Sequence, residues 1–339
     1  MANRDVLAIG TSAGGVQALL FLARNFPSDF PASVLITIHL PSHVRSSLDQ
    51  ILSRAGPLPA VFASDGETIR RAHIYIAPPD RHLLLDGDRL ALGSGPRENN
   101  SRPAIDPMLR SAAVCCGARA VGVVLTGTLG DGASGLWAVR QCGGLTVVQD
   151  PHDAAFPEMP LTALNRTKAD HVVRLAHMPA LLASLAHQPA GEAAPRPSGV
   201  AYEVEIARNG RSAMDKMDDL GRRSVLACPD CGGVMWEIDE EGLLRYRCHV
   251  GHTYASEMMS VALDDSLRRA LASALRALEE RVALAQKLYR QAVDAGHWLL
   301  AETWSQKARE CEREMNVIRD AVHRMDRLVA NAERRQAAE

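Results

Sequence analysis

Short apolar, β-rich runs alternate with helix-like stretches from about residue 5 to 185, and three of the runs end on residues of unlike chemistry. VLAI (6–9) leads into Ser12, SVLITI (33–38) into His39, and AVGVVL (120–125) into a glycine-rich turn at Asp131. Strands are expected at 6–10, 33–39, 73–77, 89–92, 120–126, 145–149 and 171–174, and helices at 15–25, 46–53, 106–116, 132–141 and 161–165. Strands separated by helices imply a doubly wound, mostly parallel sheet, whose carboxyl edge collects ligands and catalytic groups. Asp86-Gly87-Asp88 reads as the turn of a hairpin added to that sheet.

A hydroxyl, an imidazole and a carboxylate delivered to one sheet edge are the parts of a hydrolytic triad. Around Ser12 the sequence is Gly10-Thr11-Ser12-Ala13-Gly14, a G-x-S-x-G turn between strand and helix. A dinucleotide loop is the competing reading. Ser12 occupies its middle glycine position, and His39 stands where such a loop needs an acidic residue. Asp131 could cap a helix or orient His39, and one carboxylate can do both. The chain order Ser, His, Asp differs from the Ser, acid, His order of ordinary α/β-hydrolases.

These segments resemble the catalytic domain of the CheB-type chemotaxis protein-glutamate methylesterases. IGTSAGG around Ser12, IHLP around His39 and TGTLGDGASG around Asp131 carry the likeness, supported by IYIAPPDRHLLL (74–85), SRPAIDPMLRSAA (101–113) and QDPHDAAFPEMP (149–160). The resemblance implies Ser12 as nucleophile, His39 as base and Asp131 as its orienter. It implies hydrolysis of glutamate methyl esters, with glutamine deamidation as a second activity, on methyl-accepting chemoreceptors or similar helical signalling proteins. Backbone amides of Ala13 and Thr128 are expected to meet the oxyanion. Arg102, Glu158 and Met159 are candidates for the substrate groove. Thr128 and Leu129 stand where the family usually has methionine and glycine, and Ala13 where some members have threonine. The likeness begins at residue 5 without the family's receiver domain, so control by in-cis phosphorylation is not expected.

Beyond residue 186 the composition shifts to HQPAGEAAPRPSG, read as a linker over 187–224. Cys228-x₂-Cys231, sixteen residues, then Cys248-x₃-His252 follow, a spacing suited to structural Zn²⁺ in a zinc-ribbon-like module over 225–256. His249 is the alternative fourth ligand. No catalytic cofactor is expected. Residues 257–339 read as a helical hairpin, with Trp304, Ala308, Cys311, Met315, Ile318, Val322, Met325 and Val329 in a heptad seam and Leu263, Leu267, Leu271, Leu275, Leu278 and Val282 on one upstream face. Packing of the hairpin on itself is the simpler expectation; self-association through these helices is the other. The domain plan is thus a catalytic domain over 1–186 and three shorter segments.

A net charge of −2 gives no footprint for nucleic acid, and no apolar stretch of bilayer length or signal peptide is present, so a cytoplasmic enzyme without membrane insertion is expected. The alternative function is a catalytically weak signalling scaffold working through the Cys/His module and the helical tail.

Overall fold

A computed structural model describes residues 2–39, 46–192, 194–210 and 214–336. Leu40 and Pro41 of the IHLP motif lie outside them. The chain divides into two compact units, Met1–Met259 and Ser260–Glu339.

In the first unit, strands β1 (Val6–Thr11), β2 (Ser33–Ile38), β3 (Ala60–Phe62) and β4 (Ile74–Ile76) precede a hairpin of β5 (His82–Asp86) and β6 (Arg89–Gly93). Strands β7 (Ala120–Val124), β8 (Leu145–Gln149) and β9 (His171–Val173) follow. Helices α1 (Gly15–Asn25), α2 (Leu48–Ala55), α3 (Ile105–Cys116), α4 (Ala133–Gln141), α5 (Glu158–Arg166) and α6 (Met178–His187) connect or flank them. Among the described residues, seven strands pair in the order β3-β4-β2-β1-β7-β8-β9, parallel throughout. Both faces are covered, which is why the strands read as continuous apolar runs. Leu7, Ile9, Val34, Ile36 and Val123 face one core with Leu19, Leu22 and Leu182 of α1 and α6. Val6, Ala8, Leu35 and Val124 face a second core with Met108 and Leu109 of α3 and Leu136 of α4. The alternation follows the two-residue period of a strand.

The order reverses at β1, whose neighbours are β2 and β7. Ser12, His39 and Asp131 therefore follow three adjacent strands at the topological switch point. Gly10 makes room there: a Cβ on it would lie 2.2 Å from Ile105 Cγ2, so its absence lets the start of α3 press against the end of β1. The hairpin turns at Gly87-Asp88, but among the described residues it forms a separate two-stranded sheet packed on α3, not an extension of the main one.

The stretch read as a linker carries helix α7 (Ser198–Asn209) and helix α8 (Met214–Leu220). In α7, which packs against α3 and the β5–β6 hairpin, Val200, Glu203, Ile206 and Ala207 are buried at helical spacing; Ala207 meets Leu84 and Ala91, and Ile206 meets Met217 and Trp236. A buried glutamate inside the apolar stripe hides its periodicity from a sequence reading. Strands β10 (Arg222–Ala227), β11 (Val234–Glu240), β12 (Leu243–Cys248) and β13 (Thr253–Ala255) then form an antiparallel sheet bearing the Cys/His segment. This sheet lies within the first compact unit.

Helix α9 (Ser256–Asp294) runs into the second unit, turns at Gly296, and is followed by α10 (Trp298–Gln336). Gln286 donates to Glu312 at 3.2 Å and Arg319 meets Glu279 at 3.9 Å, so the two helices run antiparallel. The seam residues Trp304 to Met325 are buried or half-buried, with Ala308 and Cys311 deepest, while Val329 lies beyond the described side chains. On α9 Leu278 is buried and Leu267 is exposed.

Candidate active site

Ser12 is set by the turn that ends β1. Its backbone N–H donates to the Thr126 carbonyl at 3.1 Å, its carbonyl accepts from Gly15 N at 2.9 Å, and Gly14 takes a left-handed φ of 74° to open α1. Thr11 Oγ1 donates to the same Thr126 carbonyl at 2.8 Å. Gln149 fixes the end of β7 in turn, accepting from Thr126 N at 2.9 Å. The ends of β1 and β7 are thus tied together before any substrate arrives.

Ser12 Oγ lies 3.1 Å from His39 Nδ1, and His39 Nε2 lies 2.7 Å from Asp131 Oδ2. The imidazole is about one-fifth exposed and the carboxylate 1% exposed. Asp131 Oδ2 also accepts from Ile105 N at 2.7 Å; Oδ1 accepts from Asp106 N at 3.1 Å, Gly132 N at 3.0 Å and Asn99 Nδ2 at 3.1 Å. Burial alone would raise this carboxyl. The hydrogen bond and charge of His39 and the donated amides overcome it and hold Asp131 down at about 2. An ionised Asp131 fixes the tautomer: Nε2 carries the proton it donates, leaving Nδ1 free to accept from Ser12.

Neither Ala13 N nor Thr128 N has an intramolecular acceptor among the described residues. The two loops that carry these amides touch: a Cβ on Gly127 would lie 2.9 Å from Ser12 Cβ. Leu129 has φ 69°, in the left-handed region where glycine is at ease.

The three groove candidates are placed differently. Glu158 accepts from Leu129 N at 3.1 Å and so shapes the loop. Met159 is 1% exposed and sits beneath Gly127. The Arg102 guanidinium is already taken by Asp80 at 2.7 Å and the Gly95 carbonyl at 2.9 Å. An apolar surface that sequence reasoning missed lies beside the Ser12 loop. Phe156 is 44% exposed beside Gly14, and its backbone N–H donates to Thr126 Oγ1 at 2.9 Å. Asn99 was also missed, since a polar residue in a loop carries no periodic signal.

Cys228, Cys231, Cys248 and His252 come together with all donor atoms within 4.8 Å of one another. His252 Nδ1 lies 3.6 Å from Cys228 Sγ and 3.4 Å from Cys248 Sγ, and Cys231 Sγ lies 3.7 Å from Cys248 Sγ. Ligands around tetrahedral Zn²⁺ are separated by about 3.8 Å for sulfur pairs and slightly less for sulfur and nitrogen. Three soft donors and one imidazole at these separations fit such an ion. Gly251, at φ 109°, turns the chain back to bring His252 into the group.

Residues 7–182 match the CheB methylesterase family. A protein-glutamate methylesterase/protein-glutamine glutaminase of Xanthomonas oryzae pv. oryzae is 37% identical over 187 residues, covering 54% of this chain and 52% of that protein. A candidate protein of the same designation from Leptospira interrogans is 34% identical over 174 residues, covering 51% of this chain and 90% of its own length. The crystal structure of the Thermotoga maritima CheB methylesterase catalytic domain aligns with a TM-score of 0.53 at 31% identity, covering 55% of this chain and 100% of that domain. With the family match extending over more than half of its length and the structural alignment covering all of that catalytic domain, the chain belongs to the CheB methylesterase family.

Proposed function

We propose that this chain hydrolyses glutamate γ-methyl esters on a methyl-accepting chemoreceptor or similar helical signalling protein in the cytoplasm, and deamidates glutamine at the same site. The observation that carries this reading is the continuous Ser12–His39–Asp131 hydrogen-bond chain at the edge of β2, β1 and β7. His39 Nδ1 accepts the Ser12 proton as Oγ attacks the side-chain carbonyl carbon. The oxyanion is met by the Ala13 and Thr128 amides, and Asp131 balances the imidazolium. His39 then returns the proton to the leaving methanol, or to ammonia from glutamine. Water, deprotonated by the same nitrogen, releases the acyl group as glutamate.

The Cys228, Cys231, Cys248 and His252 group holds a structural Zn²⁺ in this reading, closed by four protein ligands with no position left open for substrate. Leu129 and Phe156 offer an apolar rim for a helical substrate. The scaffold alternative draws no support from a site whose proton path is intact. A fluorophosphonate probe tests the assignment: covalent labelling of wild type that disappears in Ser12→Ala supports it, and an unreactive wild type overturns it.

A further inference from the structure

Asn99 is the point at which the Cys/His sheet touches the triad. It is buried, with a φ of 48°, a conformation asparagine tolerates better than most residues. Its side-chain nitrogen donates to Asp131 Oδ1 at 3.1 Å and to Asp106 Oδ2 at 3.2 Å. Its side-chain oxygen accepts from Ala255 N at 2.9 Å, and its backbone N–H donates to the Thr253 carbonyl at 2.7 Å. Both of those partners lie in β13, which begins immediately after His252. One side chain therefore spans the distance from the metal-binding loop to the carboxylate that holds His39.

A second tie runs alongside. Glu98, the preceding residue, accepts from Arg110 of α3 and, at 2.8 Å, from Arg247 Nη2. Arg247 directly precedes Cys248, and its Nη1 donates to the Gly251 carbonyl at 3.2 Å inside the Cys/His loop. Glu98, Arg110 and Arg247 are all buried. Charges this deep hold their partners firmly, because separating them strands a charge without water. The loop bearing Cys248 and His252 is thus locked to residues 98 and 99, and residue 99 to Asp131.

We propose that Asn99 is a positioning residue for the triad and that a divalent ion in the Cys228–Cys231–Cys248–His252 group sets it, so that loss of the ion slows the chemical step from a distance. This rests on the esterase reading above. With the ion held, β13 is fixed and Asn99 presents its amide to Asp131, keeping Oδ2 aimed at His39 Nε2. Without the ion the loop relaxes, the amide withdraws, and the carboxylate turns away from the imidazole. A hydrogen bond to a buried charge is strong enough to matter at this level.

The test uses the full chain, stripped with a chelator and reloaded with Zn²⁺ alone, with p-nitrophenyl acetate as the ester. Stripping is expected to lower kcat about tenfold with KM changed less than twofold, and Zn²⁺ to restore it. Asn99→Asp keeps the acceptor for Ala255 and the tolerance of left-handed backbone but loses the donor to Asp131. It is expected to lower kcat at least tenfold with metal bound, and stripping should then add little, because both act through one contact. The low-field proton resonance of the His39 ring N–H facing Asp131 gives a readout independent of turnover, and it should shift on stripping and in Asn99→Asp. A shifting resonance in a protein with no Ser12-dependent turnover supports the coupling while sinking the esterase reading. Turnover and resonance both unmoved by stripping, full activity in Asn99→Asp, or failure of the chain to bind one Zn²⁺ each overturns the proposal.

Discussion

Asp106 and Asp131 each cap the helix that belongs to the other. Asp131, just ahead of α4, accepts the N–H groups of Ile105 and Asp106 at the start of α3. Asp106, in the first turn of α3, accepts those of Gly132 and Gly135 at the start of α4, at 3.0 and 2.7 Å. Each carboxylate thereby faces the positive end of a helix while satisfying its orphan donors. The exchange fastens α3 to α4 and fixes the direction in which Asp131 meets His39.

Two carboxyls so close do not ionise alike. His39 keeps Asp131 charged, whereas burial and the neighbouring Asp131 charge push Asp106 well above its ordinary 3.8. A raised carboxyl costs the fold nothing while it is protonated in both states, and the cost grows as pH rises past the unfolded value. Asp106→Asn, which keeps an acceptor for Gly132 and Gly135, should therefore gain stability relative to wild type as pH increases above about 4. Urea unfolding between pH 4 and 7 measures this, and a constant or shrinking difference would contradict it.

Glu203 titrates in the opposite sense. Though fully buried, it pairs with Arg245 at 2.6 Å through both oxygens and with Arg247 at 2.8 Å, and these charges hold it below its ordinary 4.5. Its stabilisation is complete above the unfolded value and is lost as pH falls through the folded one. Glu203→Gln should cost about 3–5 kcal/mol at pH 7, since it leaves the buried guanidinium charges of Arg110, Arg245 and Arg247 facing only Glu98 and Glu240. The gap to wild type should narrow below about pH 4.5, and a gap independent of pH would count against the ion pair as its source.

The loop after β7 yields a contrast between two substitutions. Leu129 pays about 1–2 kcal/mol for its left-handed backbone, an amount that glycine avoids at some cost in unfolded-state freedom. Leu129→Gly should stay within about 1 kcal/mol of wild type in stability. Leu129→Ile, with its branched Cβ, should lose more than about 1 kcal/mol and reduce kcat by shifting the Thr128 amide. Thermal unfolding and ester turnover of both variants decide it; equal losses would mean that the side chain matters and the backbone does not.

The parallel sheet was readable in the sequence because its strands are buried on both faces. Runs such as VLAI and SVLITI had no competing period, and turns of glycine marked where each strand delivered a polar side chain. Leu129 was noticeable as a departure from a usual glycine, and its φ of 69° supplies the physical meaning. Strand β3 escaped because Ala60-Val61-Phe62 is too short to show alternation. Helix α7 escaped because Glu203 interrupts its apolar stripe, and its burial depends on arginines more than 40 residues later. Asn99 had no signal at all. Its importance comes from what meets it in space, β13 on one side and Asp131 on the other, and neither is near it in the chain.

Arg247 offers a check on the buried network that ties the Cys/His sheet to α3 and α7. Arg247→Met leaves Glu98 with Arg110 and Glu203 with Arg245 but removes their shared bridge. It should lower stability by about 3–5 kcal/mol, read as a drop in urea midpoint at pH 7, while a change under about 1 kcal/mol would show the bridge to be dispensable.

Methanol release from a methylated chemoreceptor, followed for wild type and Ser12→Ala side by side, tests the central claim most directly. A Ser12 nucleophile activated by His39 and Asp131 predicts steady release by wild type and a loss of at least about 10³-fold in the variant. Equal release by the two proteins, or none from wild type on any methylated receptor, would contradict it.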